Sequence, residues 1–144
     1  MSETIYFDTS ALAKWYLNET RSDDVEEYLQ QHGPVAISDL TVVEMRCLLA
    51  RRRREKKLAA DLETVIFTIF QEDIRRRFLI CHPFPADLAL GAVNLMVFLG
   101  DIPVRTLDAM HLVIAREIGA DILVTADNVM ADAAEALSFQ VVRF

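Results

Sequence analysis

Four acidic side chains, Asp8, Glu44, Asp108 and Asp127, occupy positions where a lone carboxylate is costly, and that pattern makes chemical sense only if they meet. Asp8 closes the apolar run Ile5-Tyr6-Phe7, and Asp127 follows Ile122-Leu123-Val124-Thr125-Ala126. Both runs have the length and β-branching of buried parallel strands. Open α/β sheets bind ligands in the crevice at the carboxyl ends of their strands, so acids delivered there by two separate strands point to a site. Helical spacing puts Glu44 on one face with Leu40, Thr41, Cys47 and Leu48, and Asp108 with His111 and Leu112. Those faces are expected to point inward. A carboxylate aimed at a core must be protonated, paired or bound to a cation, and neither face offers an obvious basic partner.

Carboxylate oxygens select hard cations. Mg²⁺ or Mn²⁺ keeps several waters, takes a few protein oxygens and leaves the remaining positions to phosphate, which suits hydrolysis of a phosphoryl ester. Either one cation or two fits the same four acids. The hydroxyls of Ser10 and Thr125 are placed to orient a carboxylate or a metal-bound water, although either also fits a cap or turn. Simpler roles compete for the acids as well: Asp8 and Asp127 as helix N-caps, and Asp108 as an anion in the first turn of a helix. Glu44 has no such simple role. His111 is expected to be a packed, hydrogen-bonded histidine rather than a ligand or base. His32 and His82 fall at a loop and a strand end, and Asn128 either assists the site or caps a helix.

Strand signals at about 4–7, 35–38, 79–82, 122–125 and 140–143 alternate with helical patterns, which predicts an α/β fold with a parallel sheet covered on both faces. Ser10 is expected to cap a helix to about Leu17, Ser22 another to about Gln31, and Thr106 a third that ends at Gly119 and carries Asp108 in its first turn. A long basic helix is expected from about Leu40. Within residues 58–77, Leu62, Val65, Ile66, Ile69 and Phe70 recur at core spacing. Residues 88–99 are apolar nearly all round, so that helix is either enclosed or half of a subunit interface.

The chain of 144 residues with 53% apolar content is expected to form a single domain over 1–144. Its N-terminus lacks the pattern of a signal peptide, and its most apolar helix is shorter than the about 20 residues that span a bilayer, so a soluble cytoplasmic protein is expected. Cys47 and Cys81 are expected to be free, buried thiols. A formal charge of −7 argues against indiscriminate nucleic-acid binding. Nine of the fifteen basic residues nevertheless fall in two clusters: Arg51, Arg52, Arg53 and Arg54 with Lys56 and Lys57, then Arg75, Arg76 and Arg77. They are read as a solvated helix face or, more weakly for Arg51, Arg52, Arg53 and Arg54, as an RNA contact.

Four segments carry a resemblance: Tyr6-Phe7-Asp8-Thr9-Ser10-Ala11-Leu12, Ile37-Ser38-Asp39-Leu40-Thr41-Val42-Val43-Glu44, Arg105-Thr106-Leu107-Asp108-Ala109-Met110-His111 and Val124-Thr125-Ala126-Asp127. Together, in this order and over nearly the whole chain, they resemble PIN-domain ribonucleases, and most closely the VapC toxins of toxin–antitoxin pairs. The resemblance implies a three-layer PIN-like fold with strand order 3-2-1-4-5. It also implies an acidic pocket for Mg²⁺ or Mn²⁺ and metal-dependent endonucleolytic cleavage of RNA. Asp8, Glu44, Asp108 and Asp127 match the family's four acidic positions, and Ser10 and Thr125 its accessory hydroxyls. A homodimer neutralised by a small VapB-type antitoxin is implied in the same way.

Rival readings fare differently. A haloacid-dehalogenase-type phosphatase needs a second Asp two positions after the first, where Ser10 stands, and a phospho-acceptor receiver domain needs an acidic pair ahead of Asp8 that is absent. A PIN-like module that binds RNA or a partner without cutting is the remaining alternative.

Overall fold

The computed structural model describes residues 3–144. Five short strands form one sheet, and their burial follows from their side chains. β1 (Ile5–Phe7), β2 (Val35–Ser38) and β4 (Ile122–Thr125) are buried along their whole length, as strands covered on both faces must be. β3 (Leu79–His82) and β5 (Gln140–Arg143) are partly exposed and form the edges. All neighbours pair in parallel, in the order β3-β2-β1-β4-β5. The expected strands and the order implied by the resemblance therefore both hold.

Period-2 alternation divides the core into two layers. Ile5, Phe7, Ile37 and Val124 face one way, toward α1 (Thr9–Tyr16), α2 (Ser22–His32), α3 (Asp39–Arg54) and α4 (Ala60–Arg75). Tyr6, Ala36 and Leu123 face the other way, toward α5 (Leu88–Leu99), α6 (Thr106–Glu117) and α7 (Asn128–Ala136). At Gly91 an added methyl would lie 3.0 Å from a methyl of Val113, so α5 packs closely on α6 there and Val113 would have to give way by a few tenths of an ångström. From β1 the chain turns first to β2 on one side and later to β4 on the other. The topological switch therefore lies between β1 and β4, the two strands that deliver Asp8 and Asp127.

Several local expectations are corrected. Asp8, not Ser10, caps α1 by accepting from the Ala11 amide at 3.0 Å. Ser22 and Thr106 are the first residues inside their helices, behind Arg21 and Arg105 at the cap positions. Ser22 instead ties the preceding turn, accepting from the Glu19 amide and donating to the Leu17 carbonyl. In α4 only Phe70 of the expected core set is fully buried; Leu62, Val65 and Ile69 are about half exposed. α5 likewise shows Leu90, Val93, Val97 and Phe98 to solvent, with Val97 78% exposed. Cys47 is exposed rather than buried, and Cys81 is half-buried; both are free. Burial and the neighbouring Asp39 push the Cys81 thiol up to about 12, so it stays protonated. Among the described residues no helix is long and apolar enough to cross a membrane.

Candidate active site

Asp8 is the most constrained of the four acids. Its amide donates to the Val124 carbonyl at 3.0 Å, continuing the β1–β4 ladder by one residue, and its side chain is 4% exposed. One carboxylate oxygen accepts from the Ser10 hydroxyl at 2.7 Å and the Ala11 amide, and the other accepts from the Thr125 hydroxyl at 2.5 Å. Burial pushes the Asp8 carboxyl above its ordinary range, against the opposing pull of Thr125, His111 and Ser10. The two hydroxyls are themselves shared. Ser10 Oγ accepts from the Ala126 amide and lies 3.3 Å from Thr125 Oγ1, which accepts from the Asp127 amide at 3.0 Å. Asp8, Ser10, Thr125 and the backbone before Asp127 thus form one hydrogen-bonded unit across the switch point. Asp127 is exposed and caps α7 through the Met130 amide at 3.1 Å; Asn128, next to it, is the first residue of that helix.

A second unit surrounds Glu44. Its Oε1 accepts from Thr9 Oγ1 at 2.8 Å and pairs with His111 Nε2. The sequence reading, which found no basic partner for this acid, is corrected here: the partner comes from α6, not from the acid's own helix. Burial by itself would raise the Glu44 carboxyl, but the hydrogen bond and charge of His111, helped by Thr9, hold it below its ordinary value. On its far side His111 Nδ1 lies 2.6 Å from the Tyr6 hydroxyl, which lies 2.9 Å from Ser38 Oγ. His111 is therefore the packed, hydrogen-bonded histidine that was expected, though it packs against the site. Thr9, Tyr6 and Ser38 were not singled out from sequence. The available signal was positional: Thr9 adjoins Asp8, and His111 follows Asp108 by one helical turn.

Asp108 sits half-buried in the first turn of α6 and accepts a long hydrogen bond from the Arg105 amide, 3.4 Å. Burial raises its carboxyl, as do the charges of Asp127 and Glu44, while Arg105 and His111 oppose the shift. No hydrogen bond joins Asp108 to Asp127 among the described residues. Among the described residues no three His, Cys, Asp or Glu side chains stand close enough together to form a ready metal cage. The hydrogen-bonded units hold Asp8 and Glu44 in place and leave Asp108 and Asp127 with backbone caps only.

The arginine run of α3 divides by partner. Arg52 reaches Glu19 at 3.3 Å, and Arg53 pairs with the buried Glu63, which Arg46 also binds at 2.9 Å. Arg51 lines the same groove as Glu44, Thr9, Ser10 and Leu107, and neither it nor Arg54 has a carboxylate partner among the described residues. In the second cluster Arg75 and Arg76 both bind Glu72, holding its carboxyl down at about 2. His32 stacks on Tyr28 at the end of α2, and His82 ends β3.

The five strands form one parallel sheet in the order 3-2-1-4-5, and a family model of the PIN domain matches residues 5–136. The chain belongs to the PIN-domain family. It is 34% identical over 145 residues to ribonuclease VapC46 of Mycobacterium tuberculosis (strain ATCC 25618 / H37Rv), across 96% of this chain and 95% of that protein. Among solved structures it is similar in fold to M. tuberculosis VapC20, described as a sarcin-ricin loop cleaving toxin, with TM-score 0.71, 20% identity, and 90% of this chain and 95% of that one covered. The same fold recurs in VapBC2 of Rickettsia felis bound to a DNA fragment from its promoter, with TM-score 0.69, 16% identity, and 98% and 99% coverage.

Proposed function

We propose that this protein is an endoribonuclease that hydrolyses RNA phosphodiesters with Mg²⁺ or Mn²⁺ held by Asp8, Glu44, Asp108 and Asp127, and that it is the toxin of a toxin–antitoxin pair. The observation that carries this reading is the environment of Asp8. A nearly inaccessible carboxylate is surrounded by hydroxyl and amide donors, with no Lys or Arg paired to it among the described residues, at the carboxyl end of the central strand. Such a group is stabilised by a bound cation.

The donors fit a hard cation of this kind. Mg²⁺ is usually held through one or two carboxylates, with waters and substrate phosphate completing its octahedron, so a preformed cage of three acids is not required. When bound, the cation polarises a phosphoryl oxygen and lowers the pKa of a coordinated water. The chain's own contribution is positioning. Thr125 and Ser10 hold both oxygens of Asp8, Thr9 and His111 hold Glu44, and the first turn of α6 and the N-cap of α7 present Asp108 and Asp127.

Kinship with a protein named as a ribonuclease supports RNA as substrate. Fold neighbours solved as toxin with antitoxin support a VapB-type partner acting in the cytoplasm. The exposed apolar residues of α4 and α5 are proposed as the surfaces that a second copy and the antitoxin cover. A module that binds without cutting is the second reading, favoured by the lack of a tight acidic cluster among the described residues. Incubating purified protein with RNA and Mn²⁺, beside Asp8→Asn, decides between them. Cleavage by the parent alone is expected, and intact RNA in both tubes leaves the binding module. Light scattering should give twice the monomer mass.

A further inference from the structure

The hydrogen-bonded chain through His111 has more order than packing requires. His111 is 2% exposed and its Nε2 faces a carboxylate, so that nitrogen carries a hydrogen. On its other side Nδ1 lies 2.6 Å from the Tyr6 hydroxyl. Tyr6 is completely buried and its phenol is raised well above the ordinary tyrosine range, chiefly by that burial, so its proton is there to donate. Ser38 Oγ, 2.9 Å away, occupies the remaining side of the phenol oxygen. The chain runs from β2 through β1 to α6 and ends on Glu44 of α3, so it ties three elements to the orientation of one acid. No buried side-chain nitrogen or oxygen is left without a partner among the described residues.

We propose that His111 is a positioning residue: its Nε2–H, with the ring held in place by the Tyr6 hydroxyl, and the Thr9 hydroxyl both engage Oε1 of Glu44, so that Oε2 is presented to the divalent cation. This rests on the proposed metal site and assigns a task within it. Hydrogen bonds that orient a ligating carboxylate typically contribute about 10–100-fold in metal affinity.

The test is Mn²⁺ binding by calorimetry on the full chain, with metal-free melting followed in parallel. His111→Met keeps an apolar filler of similar size but has no donor, and it should weaken Mn²⁺ binding by about 10–100-fold. His111→Gln places an amide N–H near the position of Nε2 and should recover most of that loss. Tyr6→Phe removes only the phenol hydroxyl that anchors Nδ1 and should weaken binding to a lesser degree, and it remains informative if His111→Met does not fold. Unchanged Mn²⁺ affinity in His111→Met, or in Tyr6→Phe should His111→Met not fold, overturns the assignment; so does a His111→Gln protein no better than His111→Met. Asp8→Asn separates the two levels. If it abolishes Mn²⁺ binding while His111→Met does not weaken it, only the role of His111 fails, and if it too leaves binding unchanged, the metal site itself fails.

Discussion

The hydroxyl of Thr125, last residue of β4, donates to Oδ2 of Asp8 at 2.5 Å across the seam where the sheet reverses its winding. The same oxygen accepts the Asp127 amide, so one side chain orients one acid and fixes the backbone approach of another. Thr125→Val keeps shape and removes both functions. It leaves a buried carboxylate oxygen one partner short, at a cost of about 1–3 kcal/mol, and frees the partly exposed Asp127 amide. The expected result is lower melting with chelator present and RNA cleavage reduced by about 10–100-fold. Wild-type turnover in a folded Thr125→Val protein refutes the orienting role.

Asp8→Asn should separate catalysis from stability. Burial disfavours the ionised Asp8 side chain, whereas an amide keeps the helix cap without the charge, so the metal-free variant should melt higher than its parent at neutral pH. With Mn²⁺ at a hundredfold its dissociation constant the parent should gain about 2.7 kcal/mol and the variant much less. Melts with chelator and with Mn²⁺ check both halves. A variant less stable than its parent without metal counts against the carboxylate's burial being costly.

Glu63 provides a control away from the site. It joins α4 to α3 through Arg46 and Arg53, and although burial opposes ionisation, those two arginines hold its carboxyl below the ordinary value. A depressed folded pKa means the stabilisation is fully present above the ordinary carboxylate pKa and is lost as pH falls through the folded value. Glu63→Gln should therefore destabilise the protein at neutral pH, with the difference from wild type shrinking in acid and RNA cleavage per folded molecule unchanged. A pH-independent difference contradicts this.

Arg51 and Arg52 are neighbours in sequence with different prospects. Arg51 lines the groove beside Glu44 without a carboxylate partner, whereas Arg52 is tied to Glu19. If single-stranded RNA follows the groove, Arg51→Ala should weaken binding and lower the salt slope by about 0.7, with Arg52→Ala closer to neutral. Fluorescence anisotropy on catalytically inactive protein measures both. Equal effects would restore the reading of the whole run as a diffuse basic face.

The strands were legible in sequence because short β-branched runs bounded by turn residues have few alternatives, and two of them are followed within two residues by acids. What escaped was whatever depends on a second element. Helical spacing placed Leu62, Val65 and Ile69 on a common face of α4, but the same stripe serves a core or a partner, and the structure leaves it exposed. Glu44 looked unpaired because its partner, His111, lies on a helix 67 residues further on. Ser10 looked like a helix cap because Asp8 also caps well; only the three-dimensional contact with Thr125 and Ala126 shows the serine turned toward β4 instead.

The seam between β1 and β4 also has a consequence for timing. Asp8 is made early and Thr125 late, and until β4 pairs beside β1 the second oxygen of the first acid is not held. On the proposed reading, a nascent chain emerging from the ribosome carries no working nuclease through most of its synthesis. On the same reading the site is complete only once β4 has docked, late in synthesis, which would leave the proposed antitoxin time to meet the chain before it cuts.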